Sequence, residues 1–261
     1  MVVACAAACA VGAGWSVTAG VGTPPPRPPP RVTEGCVQLA GGTFTMGSPA
    51  GEGNDNERPQ YQVTVAPFCI DRTEVTVGAY RAGVTAGRCE APTAYDTDRS
   101  RSQYFCNWGR EGAEGHPVNC VTAANAGAFC VSRGGHLPTE DPWEFATRGT
   151  AWSFLTGIQN WTDPWGTTAP VADLPRAGDT PEGLIGMADN VLEWTRNPYG
   201  RYTARAGNAT EYTGVDRNSR MLRGGGWDSI DPASAGAALR NGPGATLWVG
   251  SVGFRCVTEG R

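Results

Sequence analysis

Residues 183–194 read GLIGMADNVLEW, and they say more about the architecture of the chain than any other segment. Two glycines and an Asp-Asn pair precede a short apolar run, a pattern typical of a turn that leads into a strand. We therefore predict a short strand at residues 191–195. Similar apolar runs predict two more short strands downstream, at residues 221–225 and 250–257.

Upstream of this turn, the sequence predicts two strands and three helices. Apolar and polar residues alternate at 36–46, around a Gly-Gly kink, and at 61–71, where Pro67 indicates a bulge or an edge. The predicted helices span residues 74–86, with Thr73 as N-cap, residues 121–133, with Thr122 as N-cap, and residues 140–148.

Composition limits both the fold class and the chemistry. The chain has 261 residues, 40% of them hydrophobic, and its 37 Gly and 20 Pro favour a loop-rich α+β or β domain over a helix bundle. A formal net charge of −4 argues against nucleic acid as a partner. All 21 basic residues are Arg, which excludes chemistry at a lysine, and His116 and His136 are too few for a three-histidine metal site.

The first 34 residues are predicted to lie outside the folded domain, which we place at residues 35–261. Residues 1–22 are apolar and uncharged, as in an export signal, and residues 23–34 form a Pro-rich linker. The residues before Cys5 fit the pattern that precedes a bacterial lipoprotein cysteine, so a lipid anchor at Cys5 and a plain secretory signal are both open, as is a chance match. We expect a periplasmic, outer-membrane or extracellular domain.

Seven cysteines follow the linker, and none forms a C-x-x-C pair. Scattered cysteines in an exported domain are typical of structural disulfides rather than of zinc or iron–sulfur sites. Because the number is odd, at least one thiol stays free or pairs outside the chain.

Short motifs occur in a fixed order along the domain. They are GGTFTMGS at 41–48, DRTEVT at 71–76, HPVNCVT at 116–122, HLPTE at 136–140 with WEFA at 143–146, GLIGMADNVLEW at 183–194, RGGGW at 223–227 and GFR at 253–255. Together they resemble the domain family of formylglycine-generating enzymes, also called sulfatase-modifying factors. The resemblance implies one disulfide-stabilised, loop-rich α+β domain related to C-type lectins, with a Cys130–Cys256 disulfide. Cys36–Cys69 and Cys89–Cys106 are further candidate pairs.

The same resemblance bears on catalysis. Family members that oxidise a substrate cysteine to formylglycine carry two cysteines between the last two motifs, and these bind copper(I) as a linear dithiolate. Residues 226–255 contain no cysteine here, and Gly226 replaces a family serine. We therefore predict no copper and no catalytic residues. An iron-dependent branch, which makes sulfoxides of histidine derivatives, needs more histidine ligands than the two in this chain.

The resemblance also implies a structural calcium ion beside the 183–194 turn. Its ligands would be the side chain of Glu193 and the carbonyls of Asp189 and Val191, since Ca²⁺ prefers oxygen donors in irregular loops. Gly186 replaces a side-chain ligand, a loss for which Asp189 can compensate. The alternative is a plain turn in which Glu193 makes a salt bridge or backbone hydrogen bonds.

Three functions remain open at this point. The preferred one is a non-catalytic, monomeric domain that binds a peptide or glycan through its C-terminal loops, where aromatic and polar side chains cluster. The others are an oxidase of the sulfatase-modifying-factor type and a structural cell-surface protein. The predicted ligand contacts are Trp227, Asp228, Asp231, Arg240, Asn241 and Trp248.

Overall fold

The computed structural model describes residues 35–92, 105–148, 167–174, 179–202, 212–229, 236–242 and 250–259, with the backbone alone at 212–218. The predicted signal and linker, Asp231 and Trp248 lie outside these residues. The strands are β1 (Cys36–Leu39), β2 (Gly42–Met46), β3 (Tyr61–Val65), β4 (Phe68–Asp71), β5 (Leu192–Tyr202), β6 (Tyr212–Arg223), β7 (Val252–Gly253) and β8 (Val257–Glu259). The α-helices are α1 (Val77–Thr85), α2 (Ala123–Ser132) and α3 (Glu140–Arg148).

These strands form three small sheets in the described part of the chain. Their orders are β1-β4-β8, β2-β3 and β6-β5-β7. All neighbours are antiparallel except β5 and β7, which run parallel. The loop-rich α+β architecture expected from the composition is confirmed. No helix among the described residues has the length and apolarity needed to cross a bilayer.

Strand β5 is longer than the predicted strand at 191–195. It continues to Tyr202 because the ladder with β6 shifts register on both sides of Pro198, so a residue without an N–H is accommodated at an irregularity. The kinks at Gly41–Gly42 and Pro67 likewise divide each predicted upstream strand into two, β1 with β2 and β3 with β4.

The helices agree with the predicted ones except at one N-cap. Thr122 caps α2 as expected, its hydroxyl accepting a hydrogen bond from the Asn125 N–H. The prediction that Thr73 caps the first helix is wrong. Thr76 is the N-cap of α1 and accepts from the Ala79 N–H at 3.2 Å, while the buried Thr73 hydroxyl donates to the Glu74 carbonyl.

Three disulfides cross-link the described residues. Cys36–Cys69 joins β1 to β4, and Cys130–Cys256 joins α2 to the segment before β8, so both pairings are confirmed. The Cys89–Cys106 pairing is wrong, because Cys106 bonds to Cys120. Cys106 pairs with Cys120 because two asparagines next to this disulfide hold the two segments together.

These asparagines, Asn107 and Asn119, hold the two cysteine-bearing segments side by side. The Asn107 N–H donates to Asn119 Oδ1 at 2.7 Å, and Asn119 Nδ2 donates to the Phe105 carbonyl at 2.9 Å. Cys89 is the free cysteine of the described chain and lies half-buried near Gly83 of α1.

Candidate functional site

The predicted ligand surface begins where β6 ends. The Trp227 N–H donates to the Asn190 carbonyl at 2.9 Å, and Trp227 Nε1 donates to the Gly250 carbonyl at 3.0 Å. These bonds fix a half-buried indole, and the next residue, Asp228, is exposed. The turn at 183–194 therefore positions the start of the predicted ligand loop.

Gly226, which replaces the family serine, lets the backbone lie close to its neighbours. A Cβ at this position would be 2.8 Å from Asp228 Oδ1 and 3.1 Å from the Ser251 Cβ. Its N–H donates to the Ser229 hydroxyl at 3.0 Å. The Asp228 carboxylate thus occupies the space beside residue 226 that a serine side chain would need.

Asn241 belongs to the same surface through the backbone. It exchanges two backbone hydrogen bonds with Leu222 near the end of β6, at 2.7 and 3.1 Å, and it is exposed. Trp227, Asp228 and Asn241 therefore all lie on segments attached to one end of this strand. We call these three residues the β6-end surface.

Arg240, by contrast, does not reach this surface. Its side chain is fully enclosed, with Nε and Nη2 2.7 and 3.0 Å from the two Glu140 carboxylate oxygens, and Nη2 also donates to the Gly200 carbonyl. The guanidinium lies over the Tyr202 ring, 3.9 Å from its centroid. The structure thus gives Arg240 a positioning role in place of the predicted ligand contact.

Arg240 is part of a buried charge cluster that the sequence reasoning missed. Arg223 contacts Glu140 at 3.4 Å and bonds to Glu144, and the Glu144 carboxylate also accepts from the Gly47 N–H at 2.8 Å. Glu140 and Glu144 are one turn apart on α3. Their i,i+4 spacing was visible in the sequence, but their partners lie 79 to 100 residues away.

A second buried ion pair involves Glu193, one of the predicted calcium ligands. Arg255 Nε lies 2.8 and 2.9 Å from its two carboxylate oxygens, and Trp143 Nε1 donates to Oε2 at 2.8 Å. The structure therefore matches the alternative of a salt bridge for this side chain. The Asp189 carbonyl accepts from the Val191 N–H at 2.8 Å, within the same turn.

Glu74, in the DRTEVT motif, is the carboxylate beside this turn whose oxygens lack hydrogen bonds. It is 1% exposed, and within the described chain neither oxygen has a hydrogen-bond partner. A Cβ on Gly186, whose φ is +72°, would be 2.7 Å from both oxygens. Burial raises the pKa of Glu74 well above its usual value, with Arg255 opposing the shift. A buried carboxyl without hydrogen-bond partners is a candidate ligand for a cation.

The two histidines lie on separate elements. His116 Nδ1 is 3.0 Å from the Thr168 hydroxyl and 3.2 Å from Arg110, and burial together with Arg110 lowers its pKa to about 4. His136 lies beside β8, with Nε2 3.5 Å from Glu259. No group of three or more His, Cys, Asp or Glu side chains suited to a metal occurs among the described residues. A cation bound by the described residues would therefore need backbone carbonyl oxygens as ligands in addition to side chains.

The motif order and the fold agree with one known domain. The sequence profile of the "Sulfatase-modifying factor enzyme 1-like domain" matches residues 22–260. The chain belongs to this sulfatase-modifying-factor family. A solved structure of the fold, PvdO from Pseudomonas aeruginosa, superposes with a TM-score of 0.71 at 23% identity, over 86% of this chain and 94% of that one.

Two relatives represent different outcomes within the family. The chain is 30% identical over 274 residues to the inactive C-alpha-formylglycine-generating enzyme 2 of Bos taurus, covering 87% of this chain and 88% of the relative. It is also 30% identical over 307 residues to the formylglycine-generating enzyme of Streptomyces coelicolor, covering 92% and 94%. Family membership alone thus does not establish catalysis. The three disulfides fit an oxidising compartment.

Proposed function

We propose that this chain is an exported, monomeric and non-catalytic member of the sulfatase-modifying-factor family that binds a peptide or glycan at the β6-end surface. One observation carries the non-catalytic part of the proposal: the cysteines of the described domain leave no thiol pair for copper. Residues 226–255 contain no cysteine, and six of the seven cysteines after the linker are in disulfides. Cys5, in the amino-terminal segment, is the proposed point of a lipid anchor.

Copper(I) in a linear dithiolate site needs two thiolates at one place. Cys130 and Cys256, near the last motif, are bonded to each other and buried at 0% and 3% exposure. Cys89 is half-buried, and burial raises the pKa of its thiol, which favours the protonated form. The thiols of the described domain therefore give poor support for oxygen activation by copper.

The β6-end surface offers groups that recognise amides and hydroxyls. The half-buried Trp227 gives an aromatic face, and the exposed Asp228 and Asn241, on segments attached to the same end of β6, supply a carboxylate and an amide. The buried pair of Arg240 with Glu140 supports the Asn241 segment from within. A rigid support of this kind lowers the entropy lost on binding.

Binding can be tested with arrays of defined oligosaccharides and of short peptides. We expect wild-type domain to bind a subset of one array, and D228A/N241A to bind those spots at least about tenfold more weakly, since each lost hydrogen bond to a charged or amide group costs about 1–3 kcal/mol. E114A, which removes an exposed carboxylate that pairs with Arg81, is the control and should bind like wild type. Equal binding by D228A/N241A would place the ligand at another surface and contradict the assignment, and no binding by wild type would argue for a structural protein instead.

The oxidase remains the second candidate, because the Streptomyces coelicolor relative is a formylglycine-generating enzyme at 30% identity. Its chemistry would have to rely on thiols other than a pair in residues 226–255.

We also propose that a calcium ion binds beside the 183–194 turn, with Glu74 rather than Glu193 as its acidic side chain. The two unpartnered Glu74 oxygens support this assignment, and the carbonyls of Asp189 and Val191 are the remaining predicted donors. When bound, calcium would offset the buried charge of Glu74. It would also stiffen the turn whose Asn190 carbonyl holds Trp227.

Removal of the Glu74 charge tests this calcium site. We expect millimolar CaCl₂ to raise the melting temperature of wild-type domain, and E74Q to abolish the rise, because a ligand stabilises only the state that binds it. E193Q is the informative control. It should lower the melting temperature by breaking the pair with Arg255 and yet keep the calcium-dependent rise. A rise that persists in E74Q, or is absent in wild type, contradicts the assignment.

A further inference from the structure

A groove separate from the β6-end surface runs along helix α2. It is lined by Ala123, Ala124 and Gly127 of the helix, by Leu137, and by Thr195 and Arg196 of β5. The groove encloses about 450 Å³. This volume lies in the range of small-molecule sites, about 300–1,000 Å³, and is small for a folded partner. We call it the α2 groove.

The α2 groove is apolar because the helix presents small side chains to it. A Cβ on Gly127 would meet a single atom within 4 Å, Leu137 Cδ1 at 3.9 Å, so the trough is open above the helix. Val131 lines the groove and is 66% exposed. It is the one exposed large hydrophobic side chain among the residues that the structure describes. Burying this surface is favourable for an apolar ligand.

The polar groups along the groove are mostly positive. Arg196 and Arg220 both line it, although the whole chain carries a net charge of −4. Thr122, the N-cap of α2, lines it as well, so the positive end of the helix dipole adds to the same field. The described side chains that line the groove include no Asp or Glu, and Glu259 lies outside it beside His136, 3.5 Å from its Nε2.

We propose that the α2 groove binds a small carboxylic acid with an unbranched apolar tail. The carboxylate would pair with the exposed Arg196, with Arg220 adding to the positive field, and the tail would lie along the helix toward Val131. From Ala123 to Val131 the helix rises about 12 Å at 1.5 Å per residue, which suits a medium-length alkyl chain. Charge complementarity favours an anionic head, and guanidinium groups bind carboxylates in a bidentate fork. The inference is independent of the β6-end surface.

Isothermal titration with decanoate tests the proposal, with decyltrimethylammonium as the cation of equal chain length. Both are used below their micelle concentrations. We expect decanoate to bind wild-type domain and the cation to bind at least about tenfold more weakly, since reversal of the head-group charge turns attraction to the arginines into repulsion. D228A/N241A, altered at the other surface, should bind decanoate like wild type.

Two variants test the apolar trough and the positive side chain of the groove independently. G127L fills the trough and should abolish decanoate binding while keeping or raising the melting temperature, because leucine is a better helix former than glycine. R196E should weaken decanoate about tenfold or more and strengthen the cation. The proposal is overturned if decanoate fails to bind, if both amphiphiles bind alike, or if G127L binds as wild type does. Binding of an acidic, leucine-containing peptide without decanoate would also overturn it, in favour of a peptide partner.

Discussion

E140A is expected to lower the free energy of unfolding by about 3–5 kcal/mol, the typical cost of removing one partner from a buried ion pair. Glu140 has no exposed surface and contacts Arg240 at 2.7 Å and Arg223 at 3.4 Å. Without it, the buried Arg240 guanidinium loses the carboxylate that it contacts, while Arg223 keeps its bond to Glu144. Urea denaturation of wild type and variant gives the difference directly.

An exposed ion pair provides the comparison for E140A. Arg81 and Glu114 lie 2.9 Å apart with side chains that are 42% and 57% exposed, so E114A should cost less than about 1 kcal/mol. The double variant E140A/R240A should be less destabilised than the sum of its two single variants, since the second change removes an uncompensated charge. Similar costs for E140A and E114A would show that the buried cluster does not hold the Asn241 segment as we describe.

Removal of the Cys130–Cys256 disulfide is expected to cost about 5 kcal/mol in the double variant C130A/C256A. The bond closes a sequence separation of 126 residues, and the chain-entropy model ties the stabilisation to the length of the closed loop. The bond also fixes α2 against the segment between β7 and β8, which carries Arg255. The measurement is urea denaturation without reductant.

The Cys106–Cys120 bond is the matched control, because it closes a separation of only 14 residues. C106A/C120A should cost about 3 kcal/mol in the same model. All four cysteines are buried, so lost side-chain packing is similar in the two variants. A cost for C106A/C120A equal to or above that of C130A/C256A would show that loop length is not what the long disulfide contributes.

Local signals in the sequence predicted much of the fold. Thr122 and the run after it gave α2 with its cap, and ordered motifs gave the family and the Cys130–Cys256 bond. The N-cap of α1 was misplaced because two threonines precede that helix, and the choice depends on where the chain leaves β4. The Cys106–Cys120 pairing depends on asparagine bonds between segments, which no local pattern reveals.

The candidate sites were harder to predict for a related reason. Arg240 in a loop resembles a ligand contact, and its partner Glu140 is 100 residues away. Glu193 has the carboxylate expected of a calcium ligand, but this carboxylate forms an ion pair with Arg255, 62 residues later in the sequence. Whether a charged side chain serves a ligand or a buried partner is decided by tertiary pairing, and in this chain the pairing is long-range.

The most direct test of the central claim, a family fold without oxidase chemistry, is a formylglycine assay on the complete chain. The protein is incubated with copper(I), oxygen, a thiol reductant and a sulfatase-type cysteine peptide, beside the Streptomyces coelicolor enzyme as control. Mass spectrometry then measures conversion of the substrate –CH₂SH to –CHO. We predict no conversion by this chain and full conversion by the control. Conversion above background would show that other thiols hold copper, and would contradict the inference from the cysteine-free segment 226–255.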